Sequence, residues 1–258
     1  MFKTFNSKVK QLQEYIDEAD KIVFFGGAGV STESGVPDFR SKNGLYNQHD
    51  IQFEKYEPEY LLSSYCLYDD TKVFYEYYRQ KFNLKGIYPN ITHIRLADME
   101  RHHNLTVVTQ NLDGLHKRAG SKNVLEIHGT GQVCYCRRCG KEYPADYIFN
   151  CEEEIPLCHA CENEENEYCP PDKAYIRPRI SLYGEFLQPA FKSAEARIAE
   201  ADLLIVGGTS LKVAPANSLV PLFKGKHLVI INKQKTDFDD KADLVFHTSI
   251  GRVFKQLH

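Results

Sequence analysis

Residues 22–29 of this 258-residue chain, Ile-Val-Phe-Phe-Gly-Gly-Ala-Gly, pass from four apolar residues straight into a turn of small ones. A short apolar run of this kind reads as a buried strand, and the glycines after it mark a backbone that turns tightly and approaches another group closely. Nucleotide-binding folds deliver a phosphate loop in this way, yet the dinucleotide fingerprint Gly-x-Gly-x-x-Gly is incomplete here. Counting from Gly27, the third glycine position is Thr32, and Ser34-Gly35-Val36-Pro37 interrupts any helix that would follow. The two remaining glycines admit a pyrophosphate, and the chain need not run straight on into a helix.

Further short apolar runs recur at Leu105–Thr109, Val124–Ile127, Ile176–Tyr183, Leu203–Val206, His227–Ile231 and Leu244–His247. Helical patterns lie between many of them, at Ile91–His103, Phe191–Ala201 and Ala216–Lys224. An amphipathic opening helix carries Val9, Leu12, Ile16 and Ala19. Alternating strands and helices imply an α/β fold with a doubly wound, mostly parallel, Rossmann-like sheet. Ligands of such sheets bind beyond the carboxyl ends of the strands. Polar or glycine-rich clusters sit there five times: Gly26–Arg40, Gln110–His116, His128-Gly129, Gly207–Ser210 and Asn232-Lys233. Their recurrence at equivalent positions implies one composite site.

Seven of the eight cysteines fall between Cys134 and Cys169. No secretion signal opens the chain, so clustered thiols point to metal rather than to disulfides. Cys136-x-x-Cys139 and Cys158-x-x-Cys161, with 18 residues between the pairs, have the spacing of a zinc ribbon. Redox pairs or incidental thiols are the alternative. Four thiolates fill a tetrahedral shell, so one zinc would be structural and would take no part in the chemistry. Cys134, Cys151, Cys169 and His159 are further ligand types nearby. The acidic stretch after Cys161 reads as a solvated loop.

A net charge of -3 gives no global field for nucleic acid, and no apolar run approaches the ~20 residues that span a bilayer. The expectation is a cytoplasmic protein with no nucleic-acid or membrane partner.

The motifs GAGVSTESGVPDFR, TQNLDGLH, the His-Gly at 128–129, the two cysteine pairs, YGE at 183–185, GTSLKVAP and INK together resemble the sirtuin family, bacterial NAD-dependent protein-lysine deacylases, over nearly the whole chain. The resemblance implies NAD as a consumed co-substrate, acyl-lysine proteins or peptides as partners, and release of nicotinamide and O-acetyl-ADP-ribose through an alkylimidate. It divides the chain into an NAD-binding Rossmann-like domain, residues 1–41, 89–132 and 176–258, and a smaller inserted helical and zinc-ribbon domain, residues 42–88 and 133–175.

By the same resemblance, His128 is the catalytic base, and a histidine suits that role because its ordinary pKa, ~6.5, lies near working pH. Asn111 and Asp113 position the nicotinamide ribose and the carboxamide, and Gln110 sits on the ribose. Phe39 shields the ribose carbon after nicotinamide leaves, and Arg40 pairs with phosphate. Ala28 and Thr32 match the loop contacts, and Gly29 and Leu112 are further cofactor-binding residues. Thr209, Ser210 and Asn232 match the contacts to the adenosine half, Ile250 lines the adenine, and Gly208 is a further cofactor-binding residue. Ser181, Tyr183, Gly184 and Glu185 resemble the strand that pairs with a substrate peptide.

Sirtuins that prefer acidic acyl chains carry a Tyr-x-x-Arg pair. Here Tyr75 is followed at the fourth position by Tyr78, and Arg79 comes one residue later. That step turns it about 100° around a helix, so Arg79 is expected to face solvent. The chain also departs from the family pattern in the 15 residues between Cys161 and Arg177-Pro178. Two other activities stay open: an ADP-ribosyltransferase or NAD hydrolase on the same scaffold, and a non-catalytic NAD or ADP-ribose sensor.

Overall fold

The computed structural model describes residues 4–39, 41, 44–48, 50–161 and 174–258. Arg40 and Cys169, both named above, lie outside them. The helices are α1 (Phe5–Glu18), α2 (Pro58–Leu61), α3 (Ser64–Asp69), α4 (Thr71–Phe82), α5 (Ile91–Met99), α6 (Leu115–Arg118), α7 (Asp146–Asn150), α8 (Pro189–Ala199) and α9 (Ile250–Phe254). The strands are β1 (Ile22–Gly26), β2 (Leu105–Thr109), β3 (Val124–Glu126), β4 (Gly129–Cys136), β5 (Glu142–Pro144), β6 (Ile176–Ile180), β7 (Leu203–Gly207), β8 (His227–Ile231) and β9 (Leu244–Phe246).

Six strands form one parallel sheet in the order β3-β2-β1-β7-β8-β9. Its residues are apolar without alternation because both faces are covered. Ile22 and Phe24 enter one core with α1, α5 and α9, whereas Val23 and Phe25 enter another with α8. Leu203 and Ile205 divide from Leu204 and Val206 in the same way. The period of two along each strand thus builds two cores from one run. The direction of winding reverses between β1 and β7, the place where doubly wound sheets leave a crevice.

A second sheet is antiparallel, in the order β5-β4-β6. The run at Ile176–Tyr183, expected among the strands of the mostly parallel set, belongs here and is regular only to Ile180. β4 and β5 carry cysteines, glycines and charges rather than an apolar run, so periodicity does not reveal them. Their pairing is specified by β6 and by the cysteine cluster. The helix expected at Ala216–Lys224 is a 3₁₀ turn, Ala216–Leu222, because Pro221 removes a donor from its interior. A third core, rich in aromatic residues, joins α3 and α4 to this sheet through Phe74, Tyr75, Tyr78 and Ile176.

Candidate active site

A cleft of about 1190 Å³ opens at the carboxyl ends of β1 and β7 and continues to the small sheet. Among the described residues it gathers every residue named from the sequence for NAD and for the substrate peptide, while the four cysteines lie outside it. Ala28, Gly29, Thr32 and Phe39 come from the segment after β1, and Gln110 to Asp113 from the segment after β2. His128 follows β3, and Ser181 to Glu185 follow β6. Gly208 to Ser210 follow β7, Asn232 follows β8, and Ile250 opens α9.

The phosphate-type loop differs in detail from the simple reading. The N–H of Gly27 donates to Gly207 O at 3.1 Å, and that of Gly29 to Gly208 O at 2.8 Å. The glycines therefore bring two loops together. A Cβ on Gly29 would stand 2.7 Å from Gly208 O, and Gly208 holds φ at +60°. Two 3₁₀ turns, at residues 28–30 and 32–34, replace the helix of a dehydrogenase loop. Ala28, Thr209 and Ser210 line the cleft and keep main-chain N–H groups with no protein partner among the described residues. Such N–H groups suit an anion.

Behind them lies a polar network. Ser31 Oγ donates to Asp113 Oδ2 at 2.6 Å, and Asn111 Nδ2 donates to Ser31 Oγ at 3.0 Å and to Gly27 O at 3.1 Å. Leu115 N–H caps Asp113 Oδ1 at 2.8 Å. All three side chains are buried. Burial pushes the Asp113 carboxyl above its ordinary range, while the Ser31 and Leu115 donors hold it back. Ser31 was not singled out from the sequence, since a serine in a small-residue loop looks like any other. Its role appears only when β1 and β2 lie side by side.

His128 sits at the wall of the cleft. Its Nδ1 lies 3.1 Å from Gln110 O. A carbonyl can only accept, so Nδ1 carries the proton and Nε2 of the neutral ring is left with its lone pair. Burial lowers the pKa of this histidine, only partly offset by the Gln110 carbonyl. Gln110 Nε2 in turn reaches Thr209 Oγ1 at 3.2 Å. Phe39 packs edge-to-face on Tyr46 at 5.4 Å, and the Tyr46 hydroxyl lies 3.1 Å from that of Tyr183.

In the small sheet, Cys136, Cys139, Cys158 and Cys161 place their sulfurs within 4.8 Å of one another. Cys136 and Cys161 sulfurs are 3.6 Å apart, and those of Cys139 and Cys158 3.7 Å. A tetrahedron with ~2.3 Å zinc–sulfur bonds has edges near ~3.8 Å, so these residues fit one zinc ion in a closed shell. The spare ligand types among the described residues lie outside this cluster. Cys151 Sγ accepts from Arg79, and His159 lies 3.5 Å from Glu153. Cys134 is buried in the aromatic core.

Arg79 is half-buried rather than free in solvent as expected. It donates to the carbonyls of Ile148, Glu153 and Glu154 and to Cys151 Sγ, at 2.7–3.0 Å. Tyr75 is fully buried, its hydroxyl donating to Ile176 O at 2.8 Å. Tyr78 lines the cleft instead.

A profile of the Sir2 family matches residues 27–215. An NAD-dependent protein deacetylase of Clostridium acetobutylicum is 44% identical over 250 residues, covering 96% of this chain and 97% of that protein. One from Cutibacterium acnes is 43% identical over 247 residues, covering 95% of each. Among solved structures, a Sir2 with deacetylated p53 peptide and 3′-O-acetyl ADP-ribose superposes with a TM-score of 0.83 at 33% identity, over 96% of both chains. A Sir2 with p53 peptide and NAD⁺ gives 0.78 at 35% identity, again over 96% of both.

Proposed function

Since the chain belongs to the Sir2 family, it removes acetyl groups from protein lysines at the expense of NAD, and we propose that His128 is its general base. The orientation of the His128 ring carries this assignment. With Nδ1–H tied to Gln110 O, Nε2 is the basic nitrogen of a ring that lines the cleft. Asn111 spends both amide hydrogens on Gly27 and Ser31. Its Oδ1 is then the atom that orders a ribose hydroxyl. Asp113, anchored by Ser31 and Leu115, accepts from the nicotinamide carboxamide.

The Ala28, Thr209 and Ser210 N–H groups take the pyrophosphate, and Phe39 screens the ribose carbon once nicotinamide has left. Thr32 Oγ1 donates to Gly29 O at 3.0 Å and stiffens the loop. Asn232 and Ile250 flank the adenosine. Zinc held by the four cysteines supplies fold stability and no open coordination position. The NAD-binding domain comprises residues 1–41, 89–132 and 176–258 and the small domain residues 42–88 and 133–175, with β4 and β6 at the joint. The protein works in the cytoplasm, and no helix among the described residues is long and apolar enough to cross a membrane.

Wild-type protein with NAD and an acetyl-lysine peptide, followed by mass spectrometry, should give free lysine, nicotinamide and O-acetyl-ADP-ribose. Nicotinamide release without acylated peptide would favour the NAD hydrolase, a mass gain of ADP-ribose on the peptide the transferase, and NAD binding without turnover the sensor.

The acyl preference is for neutral chains. Using Arg79 to hold a succinyl carboxylate would break four hydrogen bonds, each worth about 1 kcal/mol net, against about 1.5–3 kcal/mol for the new charged contact. Lys81 also lines the cleft but is committed to Asp50 and to Gln48. On one peptide sequence, kcat/KM for acetyl-lysine should exceed that for succinyl-lysine by about tenfold or more, a difference of ~1.4 kcal/mol. A succinyl preference that disappears in Arg79→Met would show the opposite.

A further inference from the structure

The backbone from Ser181 to Glu185 leaves β6 and borders the cleft as an irregular edge. Beside a turn bond from Glu185 N–H to Leu182 O at 3.0 Å and side-chain contacts of Ser181 with Gln188 and of Tyr183 with Tyr46, three sets of contacts hold it. Ser181 N–H donates to the carbonyl of His128 at 2.8 Å. Tyr183 N–H donates to Leu62 O at 3.0 Å, and Ser64 N–H donates to Tyr183 O at 2.9 Å. The third is an ion pair. Arg177, which is 4% exposed, donates through Nη1 to Glu185 Oε1 at 2.6 Å and through Nη2 to Glu185 Oε2 at 2.9 Å. The same Nη2 reaches Ile180 O at 3.1 Å, and Glu185 Oε2 also accepts from Leu182 N–H at 2.9 Å.

One guanidinium thus ties the last residue of β6 to the far end of the turn. Within that turn Gly184 holds φ at +86°, and its N–H and C=O have no partner among the described residues while it lines the cleft. A Cβ there would stand 2.9 Å from Ser64 Oγ.

A buried ion pair contributes little net stability compared with an apolar pair of the same shape, but it fixes geometry tightly when bidentate. β6 does not need it, because its backbone is already paired with β4. What the pair does constrain is the path of residues 181–185.

Building on the reading of that segment as the substrate edge, we propose that Arg177 is a positioning residue for the acyl-lysine peptide. Its two-pronged grip on Glu185 presents the free Gly184 backbone groups to the substrate main chain. The peptide gains its main-chain hydrogen bonds only while the turn keeps this shape. The hydrogen bonds of Arg177 and Glu185 reach none of the residues assigned to NAD.

The test measures binding of a fluorescent acetyl-lysine peptide by anisotropy without NAD, and KM and kcat with NAD, for wild type, Arg177→Met, Arg177→Lys and Glu185→Gln. Glu185→Gln keeps the acceptor for Leu182 N–H and the side-chain volume, so it tests the same grip if Arg177→Met fails to fold. Peptide Kd and KM should rise about tenfold in Arg177→Met, with kcat and the KM for NAD within about threefold of wild type, the pattern of lost substrate binding. Arg177→Lys, which keeps charge but not the fork, should fall between. Unchanged peptide affinity in folded Arg177→Met and Glu185→Gln would overturn the proposal, as would a fall in kcat at constant KM. A wild-type chain that binds the peptide without turning it over would overturn the deacetylase reading alone. One that binds no acetyl-lysine peptide would overturn both.

Discussion

Replacing His128 with alanine is expected to lower the deacetylation rate by at least ~10²-fold, the usual contribution of a positioned general base. The loss should fall on the chemical step. The main-chain donors of Ala28, Thr209 and Ser210 and the Asn111–Ser31–Asp113 network do not depend on the imidazole. NAD affinity, measured by calorimetry, should therefore change little.

The pH profile provides a second reading of the same group. Burial lowers the His128 pKa, so the neutral, basic ring persists below the ordinary ~6.5. The acid limb of kcat/KM should accordingly lie below that value, with activity present above the lowered pKa and lost as pH falls through it. In the alanine variant this limb should vanish along with most of the rate. Near wild-type turnover in His128→Ala would remove the histidine from the mechanism.

Loss of the four-cysteine cluster should have the largest effect on stability. Structural zinc sites of this kind contribute about 10–16 kcal/mol of apparent binding energy, comparable to or larger than the ~5–15 kcal/mol that holds a typical domain folded. Cys136, Cys158 and Cys161 are buried, and β4 with the 158–161 turn brings them together. Without metal, a set of thiols at 3.6–3.7 Å has nothing to hold it in register. Cys158→Ser, or prolonged chelation, should unfold the small sheet, visible by circular dichroism, and abolish activity with it. Elemental analysis should find one zinc per chain. A folded, fully active Cys139→Ala protein containing no zinc would contradict this.

How legible each part was depends on the range of the forces that specify it. The strands of the parallel sheet are readable because burial on both faces demands continuous apolar residues, and Ile22–Gly26 or Leu203–Gly207 can be nothing else. The cysteine pairs are readable because a tetrahedral shell fixes local spacing. β4 and β5 were not, since their residues are chosen by partners distant in sequence: Cys136 pairs with Ile176, and Gly129 with Ile180. Arg79 illustrates the same limit. Helix geometry correctly turned it away from the cleft, yet no local rule could supply the carbonyls of Ile148, Glu153 and Glu154 that capture it.

The sequence by itself determined the α/β class, the order of polar clusters after each strand and the paired cysteines, all of which rest on periodicity, turn chemistry and spacing within a few residues; the candidacy of His128 came from the resemblance to the sirtuin family. The tertiary structure alone decided which nitrogen of His128 is free, that Ser31 joins Asn111 to Asp113 across two strands, that Gly29 and Gly208 pack backbone against backbone, and that Arg177 grips Glu185. Hydrogen bonds and ion pairs of this kind act only within about 3 Å. They exist once the sheet has brought distant residues to that distance, and no shorter-range pattern in the chain records them.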